Sequence, residues 1–297
     1  MSSEPRESSI APRTIYDFGS NNGDDLSYYL LKADRVIAVE ANPLLASQIE
    51  RRFAKEIAEK RLFVENCVVT DEDSSCNVPF YLHRYNPHLS QFPKPTQSNI
   101  ANFQEVSLPS KSVSDLIATH GEAFYIKIDL EHYDEVILRH LFRHNVRPPF
   151  ISVESHSVEV FCALVSLGKY NSFNIVDGST VAEKYKRRFI NSNVGQTTYS
   201  FPPRSSGPFG DDVDGPWLTA SQFFYLLAFE RLGWKDIHAT TEIPPDPKAE
   251  PRFGTRAELG RAVKDRVATL VNTITPSPKL ALAKRLRSVF AHRIRSG

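Results

Sequence analysis

Apolar residues along this chain gather in short β-branched or aromatic runs, and stretches of helical period lie between them. Thr14–Asp17, Val36–Glu40, Leu62–Val69, Phe124–Asp129 and Phe150–Glu154 read as strands. Roughly Asp24–Leu31, Leu44–Glu59, Val113–His120, Glu135–Asn145 and Val158–Leu167 read as helices. In Leu44–Glu59, residues Leu45, Ile49, Phe53 and Ile57 recur at four-residue steps and make one apolar face. Val78–His83 and Phe103–Leu108 are further strand candidates, separated by a Pro/Gln/Ser/Asn-rich loop, His88–Asn102. Asn171–Val176 and Thr197–Phe201 read as the last two strands, joined by a basic loop with Lys184, Lys186, Arg187 and Arg188. Apolar strands alternating with helices predict an α/β fold, a mostly parallel sheet with helices on both faces. The pattern does not fix the strand order.

After Phe201 the pattern changes. Ser205–Trp217 is a Gly/Pro/Asp-rich loop carrying aromatics, Ser221–Leu232 reads as a helix, and Pro244–Pro251 is a proline-rich break. The expected organisation is a flexible lead-in over 1–10, a core domain over 11–203, a lid or acceptor-side loop and helix over 204–243, and a basic helical extension over 244–297. In that extension Leu282, Leu286, Phe290 and Ile294 recur at four-residue steps among Lys284, Arg285, Arg287 and Arg293. Such a helix suits docking or homodimerisation, or peripheral contact with an anionic membrane.

Composition narrows the picture only a little. A net charge of +1 gives no global pull toward nucleic acid. The three cysteines, Cys67, Cys76 and Cys162, form no C-x-x-C pair, which argues against a disulfide framework or a cysteine zinc site. Met1–Ser9 lacks an apolar signal core, and no apolar run approaches the ~18 residues of a membrane span, so a cytoplasmic location is expected.

The chemistry gathers where strands end. The first strand runs into Asp17-Phe-Gly19 and a turn with Asn21, Asn22 and Gly23, and the second ends in Glu40, 21 positions beyond Gly19. A glycine turn lets a ligand lie against bare backbone, and an acid at the next strand tip can hold ribose hydroxyls. The later strands end in Asp129, Glu131, His132 and in Glu154, His156. In an open α/β sheet all of these fall along the one edge where ligands bind.

Three segments carry a resemblance. Asp17-Phe-Gly-Ser-Asn-Asn-Gly23, Val36-Ile-Ala-Val-Glu-Ala-Asn-Pro43 and Phe124-Tyr-Ile-Lys-Ile-Asp-Leu-Glu-His-Tyr-Asp-Glu-Val-Ile-Leu138 resemble the FkbM-type methyltransferases, class I enzymes dependent on S-adenosylmethionine. The resemblance spans Ile15 to Phe201. The family's fourth-strand motif reads Lys-Ile-Asp-aliphatic-Glu-Gly, and here His132 stands in place of the glycine. The resemblance implies a Rossmann-like sheet of seven strands, the last antiparallel. It also implies methyl transfer to an oxygen, often of a sugar or polyketide hydroxyl.

On that reading Asp17, Gly19, Asn21, Asn22, Gly23, Glu40, Asn42, Asn66, Cys67 and Asp129 surround the cofactor, with Asn66 and Cys67 beside the adenine. Several of these serve equally as turn formers or helix caps. Asp129, His132 and His156 are the candidate bases: Asp129 has the better position, the histidines the better-matched pKa. Glu131, Glu154 and Trp217 are candidates for the acceptor side, which would take a small-molecule or saccharide hydroxyl. Glu131, Glu154 and the Asp211, Asp212, Asp214 cluster have ligand chemistry for a divalent ion, yet no metal is expected, since strand-tip carboxylates and solvated turns are common without one. Lys127 sits mid-strand in an apolar run, where a lysine snorkels to solvent or pairs with a buried acid. Two competing readings stand: a non-catalytic cofactor-binding module, and a dinucleotide oxidoreductase, against which the missing third glycine of G-x-G-x-x-G counts.

Overall fold

The computed structural model describes residues 12–72, 76–229 and 233–249. The chain falls into two units, Met1–Phe223 with Leu232–Ala249, and Phe224–Arg231 with Glu250–Gly297. The lead-in over 1–10 and the basic helix around Leu282–Ile294 lie outside the described residues.

In chain order the elements are β1 (Thr14–Phe18), α1 (Leu26–Lys32), β2 (Arg35–Val39), α2 (Pro43–Arg52), α3 (Ala54–Ala58), β3 (Leu62–Glu65), β4 (Val68–Thr70) and β5 (Asn77–His83). There follow β6 (Phe103–Ser112), α4 (Val113–His120), β7 (Tyr125–Ile128), α5 (Asp134–Arg143), β8 (Phe150–Ser155), α6 (Val158–Ser166) and β9 (Ser172–Asp177). The last are α7 (Val181–Lys184), β10 (Arg188–Ser192), β11 (Gly195–Tyr199), α8 (Ala220–Phe229) and β12 (Gly233–Thr240). In α8, residues Phe224–Phe229 belong to the second unit.

Seven strands form one sheet in the order β3-β2-β1-β7-β8-β12-β9. β1, β2, β3, β7 and β8 run parallel, and β12 is antiparallel to both β8 and β9. This is a Rossmann-like α/β sheet with one antiparallel strand. The two-residue period sends alternate side chains to opposite faces. Ile15, Val36, Tyr125 and Phe150 share a face and join a core with Leu26, Tyr28, Tyr29 and Phe209. Phe209 stacks on Tyr125 with ring centroids 3.9 Å apart.

Four expectations are corrected. The helix over Leu44–Glu59 breaks at Phe53, whose backbone (φ −114, ψ 28) leaves the helical region, giving α2 and α3. The strand over Leu62–Val69 divides at Asn66-Cys67: β3 stays in the large sheet, while β4 joins β6 and β5 in a three-stranded sheet. The segment around Thr197–Phe201 is not a strand of the main sheet, since β11 pairs with β10 in a separate hairpin. The seventh strand is β12, from within the stretch expected to form a lid. Its Asp236, His238 and Thr240 are buried, so it shows neither an apolar run nor a solvent-facing polar side.

In Asp211-Asp212-Val-Asp214 two of the acids, Asp212 and Asp214, hold structural contacts, and Asp211 is exposed. Buried Asp212 accepts hydrogen bonds from Tyr28 Oη and Lys32 Nζ, each 2.7 Å, and Asp214 pairs with Arg188 Nη1 at 2.5 Å. Trp217, expected beside the acceptor, is 7% exposed and packs in the core with Phe209 and Val213.

Candidate functional site

Where β1, β2, β7 and β8 end, a cavity of about 640 Å³ opens, ordinary for a small-molecule site. The floor at one end is the β1–α1 turn. Gly19 has φ +87, and a Cβ there would sit 1.9 Å from the carbonyl oxygen of Asp129. Only glycine lets the tips of β1 and β7 approach so closely and leaves bare backbone under a ligand. The Gly19 and Ser20 amides both donate to the Val39 carbonyl, at 2.9 and 3.0 Å, which ties the turn to the end of β2.

Glu40 follows directly. Its Oε2 accepts from the Asn21 amide and its Oε1 from the Asn42 amide, each at 2.7 Å. Two backbone donors fix the plane of the carboxyl and leave a lone pair on each oxygen for a diol. Burial pushes its pKa up to about 7, against the pull of the two amides. Asn42 also caps α2 by accepting from the Leu44 amide at 3.1 Å. Asn66 Nδ2 donates to the Glu40 and Ala41 carbonyls at 2.8 and 3.1 Å. Asn42 and Asn66 are therefore supports of Glu40 and do not line the cavity, whereas Cys67 does.

Register explains the charged centre. Asp17 on β1 pairs with Lys127 on β7, and Glu154 on β8 pairs with Asp236 on β12. Lys127, 3% exposed, places Nζ 3.1 Å from Asp129 Oδ2 and 3.6 Å from Asp17 Oδ1. Burial would lower its pKa, but Asp129 and Asp17 outweigh burial and raise it well above the lysine range. Asp17 is held at about 6, chiefly by burial. Asp129 is pulled below the usual carboxylate range because Lys127 overcomes its burial. Glu154 is pushed up to about 11 by burial and by Asp129 and Asp236, so it carries a proton at neutral pH. Burial holds Asp236 at about 8, and its Oδ2 has no hydrogen-bond partner among the described residues.

Beyond β7 the chain turns sharply, with Glu131 at φ +48 and His132 at φ +77. Glu131 lines the cavity, its pKa raised to about 7 by burial and by Asp129. His156 Nε2 lies 2.7 Å from Glu154 Oε2. The His132 ring packs 4.3 Å from the His156 ring, but His132 does not line the cavity. Carboxyl oxygens of Asp129, Glu131 and Glu154 lie within 4.8 Å of one another, close enough to share a cation. Lys127 Nζ, 3.1 Å from Asp129 Oδ2, already places a positive charge beside that group.

The structure thus brings together Gly19, Asn21, Asn22, Glu40, Cys67, Asp129, Glu131, Glu154 and His156 around one space. Asp17 is buried beneath it, Gly23 completes the turn, and Trp217 belongs elsewhere. Sequence reasoning missed Asp25, Asp236, Arg204 and Trp234. Asp25 holds the segment after Pro203 by accepting from Ser205 Oγ and from the Ser206 amide at 3.1 Å. Trp234, 43% exposed, lines the cavity and lies against Gly178, where a Cβ would come within 2.4 Å of the indole. Polar–apolar alternation in Asp236-Ile-His-Ala-Thr240 was the available signal for the strand that carries Asp236 and Trp234.

No protein-family profile and no curated protein sequence matches the chain. Among solved structures it is similar to the methyltransferase FkbM from Methylobacillus flagellatus KT, with 13% identity and TM-score 0.37 over 55% of this chain; the match spans 39% of that protein's length. It is similar to TrmK of M. capricolum in complex with S-adenosylhomocysteine, with 10% identity, TM-score 0.36, and 94% and 90% of the two chains covered. It is similar as well to spermidine synthase from Thermotoga maritima, with 10% identity, TM-score 0.34, and 87% and 69% covered.

Proposed function

We propose that the protein is an S-adenosylmethionine-dependent O-methyltransferase of the FkbM type, acting on a hydroxyl of a sugar or glycosylated small molecule. The observation that carries this reading is Glu40. Its carboxyl is held flat by two backbone amides at the tip of β2, beside a glycine turn that no side chain could replace. Residues present suit the cofactor: Glu40 would take the ribose diol, the Gly19–Asn22 backbone the amino-acid part, and Cys67 and Val68 the adenine. When bound, S-adenosylmethionine supplies a methyl group on a positively charged sulfur.

The chain's own part is alignment and proton removal. Holding two reactants in line contributes roughly 7–11 kcal/mol. An alcohol must lose its proton as the new bond forms. Asp129, placed well for the base, is committed to Lys127, which lowers its appetite for a proton. The role passes to His156. Protonated Glu154 shares its proton with Asp129, and its Oε2 lies 2.7 Å from His156 Nε2 without a formed hydrogen bond, which leaves the imidazole a ring lone pair to receive the acceptor's proton. Glu131 and Trp234 remain for the acceptor, one as a hydrogen-bonding carboxyl, the other as a flat apolar face.

Calorimetric titration with S-adenosylmethionine and with NAD tests the reading at its base, and tighter NAD binding overturns it. His156→Gln should lower methyl transfer to saccharide acceptors by about 10²- to 10⁴-fold while cofactor binding stays within twofold.

A further inference from the structure

Among the described residues, two lysine or arginine side chains line the cavity, Lys127 and Arg204. Lys127 is spent on Asp129 and Asp17. Arg204 has no carboxylate within salt-bridge distance among the described residues; its Nη1 contacts His88 Nε2 instead. Burial and Arg204 itself lower the His88 pKa, so this imidazole is a neutral acceptor that steers the guanidinium without neutralising it.

The position of Arg204 is set by the fold. Asp25 begins α1, directly after the glycine turn, and grips Ser205 and Ser206 through its carboxyl. Gly207 closes the loop by donating to Ser205 Oγ at 2.9 Å. Arg204, one residue before the pair that Asp25 holds, is thus tethered to the start of α1 and lines the same cavity as the Gly19–Asn22 turn. That turn is flanked by acids: Asp24 answers Arg52 at 3.3 Å, and Asp17 and Asp25 are buried. A ligand carboxylate placed there would find in Arg204 a cation that no acid of the site has already taken.

We infer that Arg204 is the carboxylate-binding residue of the cofactor's amino-acid end, with His88 as its positioning partner. The inference rests on the S-adenosylmethionine reading. A guanidinium fork matches a carboxylate with two parallel N–H donors, and the exchange replaces a neutral partner by a charged one.

Calorimetry on the full chain with three probes separates the possibilities: S-adenosylmethionine, its decarboxylated analogue, and 5′-methylthioadenosine, which lacks the amino-acid part. Arg204→Ala should weaken S-adenosylmethionine at least tenfold and leave the other two within twofold, and Arg204→Lys should recover part of the loss. Equal loss of all three would make Arg204 a structural residue and overturn the inference, as would unchanged S-adenosylmethionine affinity. If the unaltered protein binds none of the three, the cofactor reading itself fails.

Discussion

Glu40→Gln probes the site where its geometry is most constrained. The carboxyl accepts one backbone amide on each oxygen at 2.7 Å. A glutamine keeps one of these bonds and turns its NH₂ toward the other amide, so two donors face each other. Leaving one buried N–H unpaired costs about 1–3 kcal/mol. The substitution also removes the cost of burying a charge, which the elevated carboxyl pKa of about 7 expresses. The two effects offset, and stability should change by no more than about 1 kcal/mol. Cofactor binding has no such offset. Losing one hydrogen bond to a charged acceptor costs about 1.5–3 kcal/mol, about 10- to 150-fold in Kd. The pH dependence is a second signature. If the diol binds the ionised carboxyl, affinity falls as pH drops below about 7. Roughly a tenth of the carboxyl is ionised at pH 6 and nine-tenths at pH 8, up to about tenfold in affinity. Glu131 also titrates near 7, so the decisive quantity is the difference between the two proteins. Titration with S-adenosylhomocysteine at pH 6, 7 and 8, alongside urea unfolding, measures all of this. Equal affinity of both proteins at pH 8, or the same pH slope in both, would refute a ribose role for Glu40.

Asp236→Asn should stabilise the fold increasingly as pH rises. Its carboxyl holds a proton in the native state up to about 8 and releases it near 3.8 when unfolded, so native stability falls by up to about 1.4 kcal/mol per unit across that window. The asparagine lacks this loss, and a constant gap between the two proteins from pH 5 to 8 would contradict the assignment. Trp234→Ala should raise the acceptor KM about tenfold with kcat and cofactor affinity little changed, while Trp234→Phe keeps most of the affinity; acceptor-induced change in tryptophan fluorescence should vanish in both, because the protein's other tryptophan, Trp217, is in the core. Chelation with EDTA should leave turnover within twofold, since Lys127 and the Glu154 proton balance the acidic group; a loss restored by Mg²⁺ would instead make Asp129, Glu131 and Glu154 metal ligands.

The parallel half of the sheet was legible because its strands are buried on both faces and read as apolar runs ending in chemistry, as in Val36–Glu40 and Phe124–Asp129. What escaped depends on partners distant in sequence. Leu62–Val69 looks continuous, and only the separate pairing of Val68–Thr70 with Ser110–Ser112 shows that the chain changes sheets at Asn66. β12 hides because its buried positions include Asp236 and His238, which stand opposite Glu154 and Ser152 in the register. Trp217 and Trp234 are both aromatics near loops, and no local pattern tells which one the core absorbs. Charge state was equally out of reach: Glu154 and Asp129 look alike as strand-end acids, yet Lys127 ionises one and burial beside acids protonates the other.

The position of β12 bears on how the chain is made. β9 touches the main sheet only through β12, and β12 leaves the ribosome well after β8 and β9 have emerged. Until then β8 presents an open edge, β9 has no partner in that sheet, Asp236 has not met Glu154, and Trp234 has not reached the cavity. The cofactor half can take shape early during synthesis, but the acceptor half cannot. A nascent or truncated chain ending before Gly233 would therefore carry Glu40, its glycine turn and His156 without Asp236 and Trp234, and an exposed strand edge of the kind that invites aggregation.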